Sequence, residues 1–127
     1  MGRPRGEGGL VNPLPIPRRG DLVWVDFIPQ TGREQSGRRP ALILSPENYN
    51  RKTGLAVACP VTSQVKGYPF EVSLQAGIPI TGVVLSDHVR SIDWRARRAE
   101  RAGSAGESVV AEVCGKLMSL IGEETSG

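Results

Sequence analysis

The stretch LVWVDF (residues 22–27) decides the fold. It is β-branched and aromatic, the composition of a strand. Apolar residues occupy both of its alternating faces, so the strand is expected to be central or curled, not half solvated. Working outward, ALILS (41–45) and LAVACPVTS (55–63) read as further strands, with Pro60 requiring an edge or bulge. FEVSL (70–74) alternates strictly and places Phe70, Val72 and Leu74 on one face. GVVLS (82–86) reads as a fifth strand, and HVRSIDWR (88–95) extends into a sixth. Short strands punctuated by 16 glycines and 10 prolines point to a small barrel or sandwich.

Two helical segments interrupt this pattern. Ser45 as N-cap and Pro46 in the first turn predict one or two helical turns ending at Gly54. Near the C-terminus, Ser104 with Glu107 has capping-box spacing. Val110, Val113, Cys114, Leu117, Leu120 and Ile121 then form one apolar stripe, and Gly122 suits a left-handed C-terminal cap.

At 127 residues the chain has the length of one domain. Residues 1–19 are rich in Gly, Pro and Arg and read as a flexible basic leader, 20–122 as the folded domain, and 123–127 as a tail. The net charge of +3 is uneven. The leader carries four arginines against Glu7, residues 20–98 carry ten basic against seven acidic side chains, and residues 99–127 carry two against five. A basic central region suits an anionic partner. Cys59 and Cys114 sit far apart in apolar runs and read as core thiols of an intracellular protein. No apolar run approaches the roughly 20 residues of a membrane span, and a cytoplasmic protein without membrane contact is expected.

The chain carries no phosphate-binding glycine loop and no zinc-protease or nucleophile-elbow motif. Its carboxylates are scattered and its one histidine, His88, has no partner at ligand spacing, so neither metal nor cofactor is expected. Two polar loops stand out. Residues 28–40 hold Arg33, Glu34, Gln35, Arg38 and Arg39, and Thr62, Ser63, Gln64 and Lys66 follow the third strand. Guanidinium, hydroxyl, amide and ammonium groups together suit a phosphodiester. Composition alone favours ordinary solvated loops. The run Arg90, Arg95, Arg97, Arg98 is either a phosphate track or a solvated face. Trp24, Phe27 and Trp94 offer rings for base stacking or for the core.

On GDLVWVDF, GREQSGRRPALILSP, YNRKTG, PVTSQVKGYPFEV and GVVLSDHVRSIDWRAR, the chain resembles the MazF/PemK family of toxin endoribonucleases from about Gly20 to Gly122. The resemblance implies a mainly β (α+β), SH3-like fold shared with the CcdB gyrase poisons, a strongly bent antiparallel sheet with short helices and a C-terminal helix. It implies a homodimer that cuts single-stranded RNA at short sequences without metal, leaving 2′,3′-cyclic phosphate and 5′-hydroxyl ends, and a MazE-like antitoxin that blocks the groove.

By position, the resemblance makes Arg39 the arginine of the GxRP motif, Thr62 the catalytic threonine and Glu34 the functionally important acid. Lys66 and Arg90 fall at basic positions near the RNA groove, Phe27 and Gln64 are candidates for base contact, and Arg33 and Ser63 complete the loops. His88 stands where relatives are expected to carry an amide. Its imidazole suits base stacking or phosphate contact, and a tolerated surface change is the plainer reading. A gyrase-poisoning toxin and a non-catalytic RNA-binding barrel are the alternatives. Arg39, Thr62 and Glu34 together favour the nuclease.

Overall fold

A computed structural model describes residues 15–27 and 37–123. β1 (Asp21–Phe27) and β2 (Gly37–Ile43) pair antiparallel with Val25 opposite Arg39. α1 (Glu47–Thr53) leads into β3 (Leu55–Thr62), which pairs with β2 so that Ala41 faces Pro60. β4 (Glu71–Ser73), β5 (Val83–Leu85), β6 (Arg90–Asp93), β7 (Glu100–Ser104) and α2 (Glu107–Ile121) complete the chain. The strands run β4-β5-β3-β2-β1-β7, all antiparallel, with β6 also on β3. The expected mainly β fold with a C-terminal helix is present, and its seven-stranded sheet stays open, ending at β4 and β7.

β3 shares its outer edge between two short strands. β6 pairs with Leu55–Ala58 and β5 with Val61–Thr62. Pro60 falls in the interval that neither occupies, where a missing N–H costs no ladder bond on that side.

The central strands bury both faces, as LVWVDF requires. On one side Leu22, Leu42, Cys59, Val61, Val72 and Val84 pack with Val109 and Val113 of α2. On the other, Val23, Val25, Ala41, Ile43, Ala56, Ala58 and Ile92 pack around the fully buried Trp94. Each such Val or Leu stabilises the fold by about 1.5–3 kcal/mol on burial.

Asn50 joins the second core to the chain entry. It is fully buried on α1, accepts from Ser45 Oγ at 2.6 Å, and donates through Nδ2 to the carbonyls of Pro17 and Ser45. Its own carbonyl accepts the indole N–H of Trp94 at 3.0 Å. Residues 15–19, at the end of the expected leader, are tied down here: Ile16 packs on the second core and Arg19 Nε donates to Leu44 O.

Several local expectations are corrected. Ser45 does not cap α1. Pro46 is the N-cap without a side-chain bond, and the Ser45 hydroxyl instead accepts from Val57 N while donating to Asn50. Ser104 ends β7 and accepts from Gly106 N, so Gly106 is the N-cap of α2 and the capping box is not formed. Gly122 is extended, at φ −78°, not left-handed. The stripe of α2 is buried only in its first turns; Leu120 and Ile121 are exposed. ALILS extends back to Gly37, which shortens the polar loop, and FEVSL contributes only Glu71–Ser73. ERAGS, to which no element was assigned from the sequence, is the end strand β7 beside β1. Among the described residues no helix is long and apolar enough to cross a membrane.

Asn50→Ala leaves Ser45 and two buried carbonyls short of partners, and a loss of about 2–3 kcal/mol is expected in urea unfolding. Cys59 supplies a second check. Burial, with smaller contributions from Cys114 and Asp87, raises its thiol from 9.0 to about 12. Below pH 9 the thiol is neutral folded and unfolded; above it only the unfolded chain ionises until the pH nears 12. Stability is therefore expected to fall as pH rises through that window, and Cys59→Ala should show a shallower fall.

Candidate functional site

The register of the central strands gathers the site. Val25 faces Arg39, and Ala41 faces Pro60 as the last paired residues of β2 and β3; Arg39 and Thr62 each lie two residues beyond that pair, on the same face. Ala58 faces Arg90 on the other edge of β3. Opposed residues and residues two apart share a face. Phe27, Arg39, Thr62 and Arg90 therefore project from one face at one end of the sheet, and all four line a hollow of about 290 Å³. Its floor includes Ala41 and Ala58, whose small side chains leave the depression beneath the longer basic groups.

Thr62, at the end of β3, borders three hollows. The second contains Gln64, Lys66, Tyr68, Phe70, Glu71 and His88. The third, toward the opposite face, contains Trp24, Ser63, Gln64 and the segment Pro79–Thr81. The Thr62 hydroxyl accepts from Gln64 N at 3.1 Å. That bond orients the oxygen and leaves its hydrogen free to donate outward.

Neighbouring arginines have different jobs. Arg38 lies on the face opposite Arg39. It bonds Asp26 at 2.6 Å, donates to the carbonyls of Trp24 and Arg98, and lies 3.5 Å from Glu100. It is committed to holding β1, β2 and β7 together. Arg39 stacks its guanidinium 5.5 Å from the centroid of Phe27 and has no carboxylate within ion-pair distance among the described residues. Arg97 joins the first hollow while donating to Asp26 O. Arg95 lies over Trp94 and Arg98 lies 3.9 Å from Asp26, so neither adds to the hollow.

The loop after β3 is fixed from below. Both carboxylate oxygens of Glu71 accept backbone N–H groups, from Lys66 and Gly67. Lys116 of α2 donates to Pro69 O. The Lys66 ammonium then sits 6.0 Å from the Tyr68 ring, and His88 Nε2 lies 3.7 Å from Asp87.

Eight of the ten site residues read from the sequence are thus gathered around Thr62: Phe27, Arg39, Ser63, Gln64, Lys66, His88, Arg90 and Thr62 itself. Arg33 and Glu34 lie outside the described residues. Trp94 is core, which removes it as a stacking ring, and Trp24 is partly exposed beside Ser63. Tyr68 and Phe70 were not among the site residues read from the sequence, and of the run Arg90, Arg95, Arg97, Arg98 only Arg90 and Arg97 reach the first hollow. The interleaving of Lys66 with Tyr68 and Phe70 was the available signal for the two aromatics.

Comparison with known proteins adds the following. Residues 18–121 match the family described as PemK-like, MazF-like toxin of type II toxin-antitoxin system. The endoribonuclease toxin MazF of Escherichia coli K12 is 50% identical over 107 residues, covering 84% of this chain and 96% of that protein. The Escherichia coli endoribonuclease PemK is 41% identical over 126 residues, 92% of this chain and 95% of that protein. Among solved structures, the MazE-MazF crystal structure (Form-II) from Deinococcus radiodurans superposes with a TM-score of 0.81 at 60% identity, covering 86% of this chain and 98% of that one.

The two adjacent arginines give a contrast that stability measurements resolve. Arg38→Ala is expected to lower stability by about 1 kcal/mol, after allowing for its partial exposure, because Asp26 and two carbonyls lose a donor. Arg39→Ala is expected to stay within about 0.5 kcal/mol of the parent in the same denaturation experiment.

Proposed function

Since this chain belongs to the PemK-like, MazF-like toxin family of type II toxin-antitoxin systems, whose members named above are endoribonucleases, we propose that it cuts single-stranded RNA at the hollow around Arg39 and Thr62. The observation that carries the reading is the hollow that Arg39 and Thr62 line together with Phe27 and Arg90, the Thr62 oxygen being held by Gln64 N.

In this reading the ribose 2′-hydroxyl attacks the adjacent phosphorus in line. The new bond joins the 2′-oxygen to phosphorus, the bond to the 5′-oxygen breaks, and the products are a 2′,3′-cyclic phosphate and a 5′-hydroxyl. The nucleophile belongs to the substrate, so the protein needs to supply only position, charge and proton transfer. Arg39 donates two hydrogen bonds to phosphate oxygens and stabilises the charge that builds on them. Its guanidinium stays protonated in this role. Thr62, its oxygen already engaged by Gln64 N, donates to a phosphate oxygen or to the attacking hydroxyl. A threonine hydroxyl is a poor base, so it positions the reacting group. Glu34 has the resting charge to take the 2′-proton, and the departing 5′-oxygen, on the opposite side of the phosphorus, takes a proton from water as its bond breaks.

Around this centre, Arg90 and Lys66 carry the flanking phosphates. Phe27, Gln64, His88 and the Tyr68–Phe70 hollow supply stacking and hydrogen bonds to unpaired bases, which is how single-stranded RNA is read. Cutting is metal-independent, at a short sequence. The protein acts in the cytoplasm as a homodimer and is neutralised by an antitoxin. An antitoxin partner is supported by the similarity to MazE-MazF complexes.

Incubated with a long single-stranded RNA in excess EDTA, the protein is expected to give discrete fragments with 5′-hydroxyl ends. Arg39→Ala and Thr62→Ala should each cut on the order of 100-fold more slowly or worse with circular dichroism unchanged. An intact RNA, or cutting that survives both substitutions, rejects the assignment. Full cleavage by Glu34→Gln rejects Glu34 as the base. RNA affinity is also expected to fall steeply with salt, through release of counterions.

A further inference from the structure

The segment Ile78–Gly82 walls one side of the hollow beside Thr62, through Pro79, Ile80 and Thr81. It is held at both ends by glycines. At the first end the Pro79 ring closes on Gly103 of β7, where an added Cβ would lie 3.2 Å from Pro79 Cδ. At the second end Gly82 adopts φ +121°, and an added Cβ would lie 2.2 Å from the Thr62 carbonyl oxygen, 2.8 Å from its carbonyl carbon and 3.1 Å from Ser63 Cα. Those three atoms are backbone, so no side-chain rotation relieves the overlap. The following residue, Val83, is the ladder partner of Thr62, and Gly82 O accepts from Leu74 N. Gly82 is therefore fixed from both directions where it meets the turn that carries the Thr62 hydroxyl.

We propose that Gly82 is a positioning residue for Thr62. Its lack of a side chain lets one backbone rest directly on another, and that contact sets where the Thr62–Ser63 turn, and with it Oγ1, stands relative to Arg39. The inference rests on the nuclease reading and deepens it. Gly77 provides the contrast: it has φ +88°, yet nothing lies within 4 Å of its added Cβ. Alanine at Gly77 meets backbone strain alone, whereas alanine at Gly82 meets strain and the Thr62 backbone.

The test uses single-turnover cutting of an oligoribonucleotide that contains a site mapped with the parent protein, together with binding to the same sequence carrying 2′-O-methyl groups, which cannot react. Gly82→Ala is expected to slow cutting on the order of 10–100-fold, as a misplaced reacting group does. Its affinity for the blocked RNA should stay within about twofold, the pattern of an interaction expressed in the chemical step. Gly77→Ala should cut at the parent rate. Thr62→Ala combined with Gly82→Ala should be no slower than Thr62→Ala alone, since a missing hydroxyl has no position to lose. Gly82→Ala cutting at the parent rate, or the two losses multiplying in the double variant, overturns the proposal. If Gly82→Ala does not fold, Gly103→Ala presses on the same wall through Pro79. It should slow cutting with the same dependence on Thr62, and an unchanged rate there overturns the proposal equally. A parent protein that cuts no RNA instead defeats the nuclease reading itself.

Discussion

A sheet buried on both faces constrains everything else in this protein. β1, β2 and β3 present apolar side chains to α2 on one side and to Trp94 on the other. Such strands leave little solvated surface on which to carry polar chemistry, Trp24 being the exposed position within β1. Functional groups are left only the strand ends. Arg39 begins where the second core stops along β2, Thr62 closes β3, and Phe27 closes β1. The shared end of three strands is also where rigid backbone is available, which suits a site that must place groups to within a fraction of an ångström.

That end carries several arginines, and the structure sorts them by face. Arg38 points to the side where Asp26 and Glu100 stand and becomes an internal tie. Arg39, one residue on, points to the other side and meets Phe27. Alternation along a strand thus separates a structural from a functional arginine without any change of residue type.

The same physics determines what the sequence made legible. LVWVDF announced a doubly buried strand because both alternating positions are apolar, and the start of α2 announced itself by helical period. β7 did not, because ERAGS owes its strand conformation to pairing with β1, a partner 80 residues away at Arg101 and Asp21. The caps misled for a related reason. Ser45 and Ser104 have the chemistry of caps, but other partners claimed their hydroxyls: Val57 on β3 and Asn50 for Ser45, and the N–H of Gly106, two residues on, for Ser104. Arg39 and Thr62 were picked out by motif, yet nothing local said that they line one hollow; that follows from how β1, β2 and β3 pair. Tyr68 and Phe70 were passed over because an aromatic next to a strand reads first as core.

The pairing of β1 has a consequence in time. Its first neighbour, β2, follows within a few residues, but its second is β7, with Asp21 opposite Ser104 and Ala105 N bonded to Gly20 O. A chain emerging from the ribosome can form the early hairpin that bears Arg39 long before the outer edge of β1 has a partner. Contacts of such separation form late, because the loop they close is long. Translation interrupted ahead of β7 therefore leaves a chain whose first strand still has an open edge.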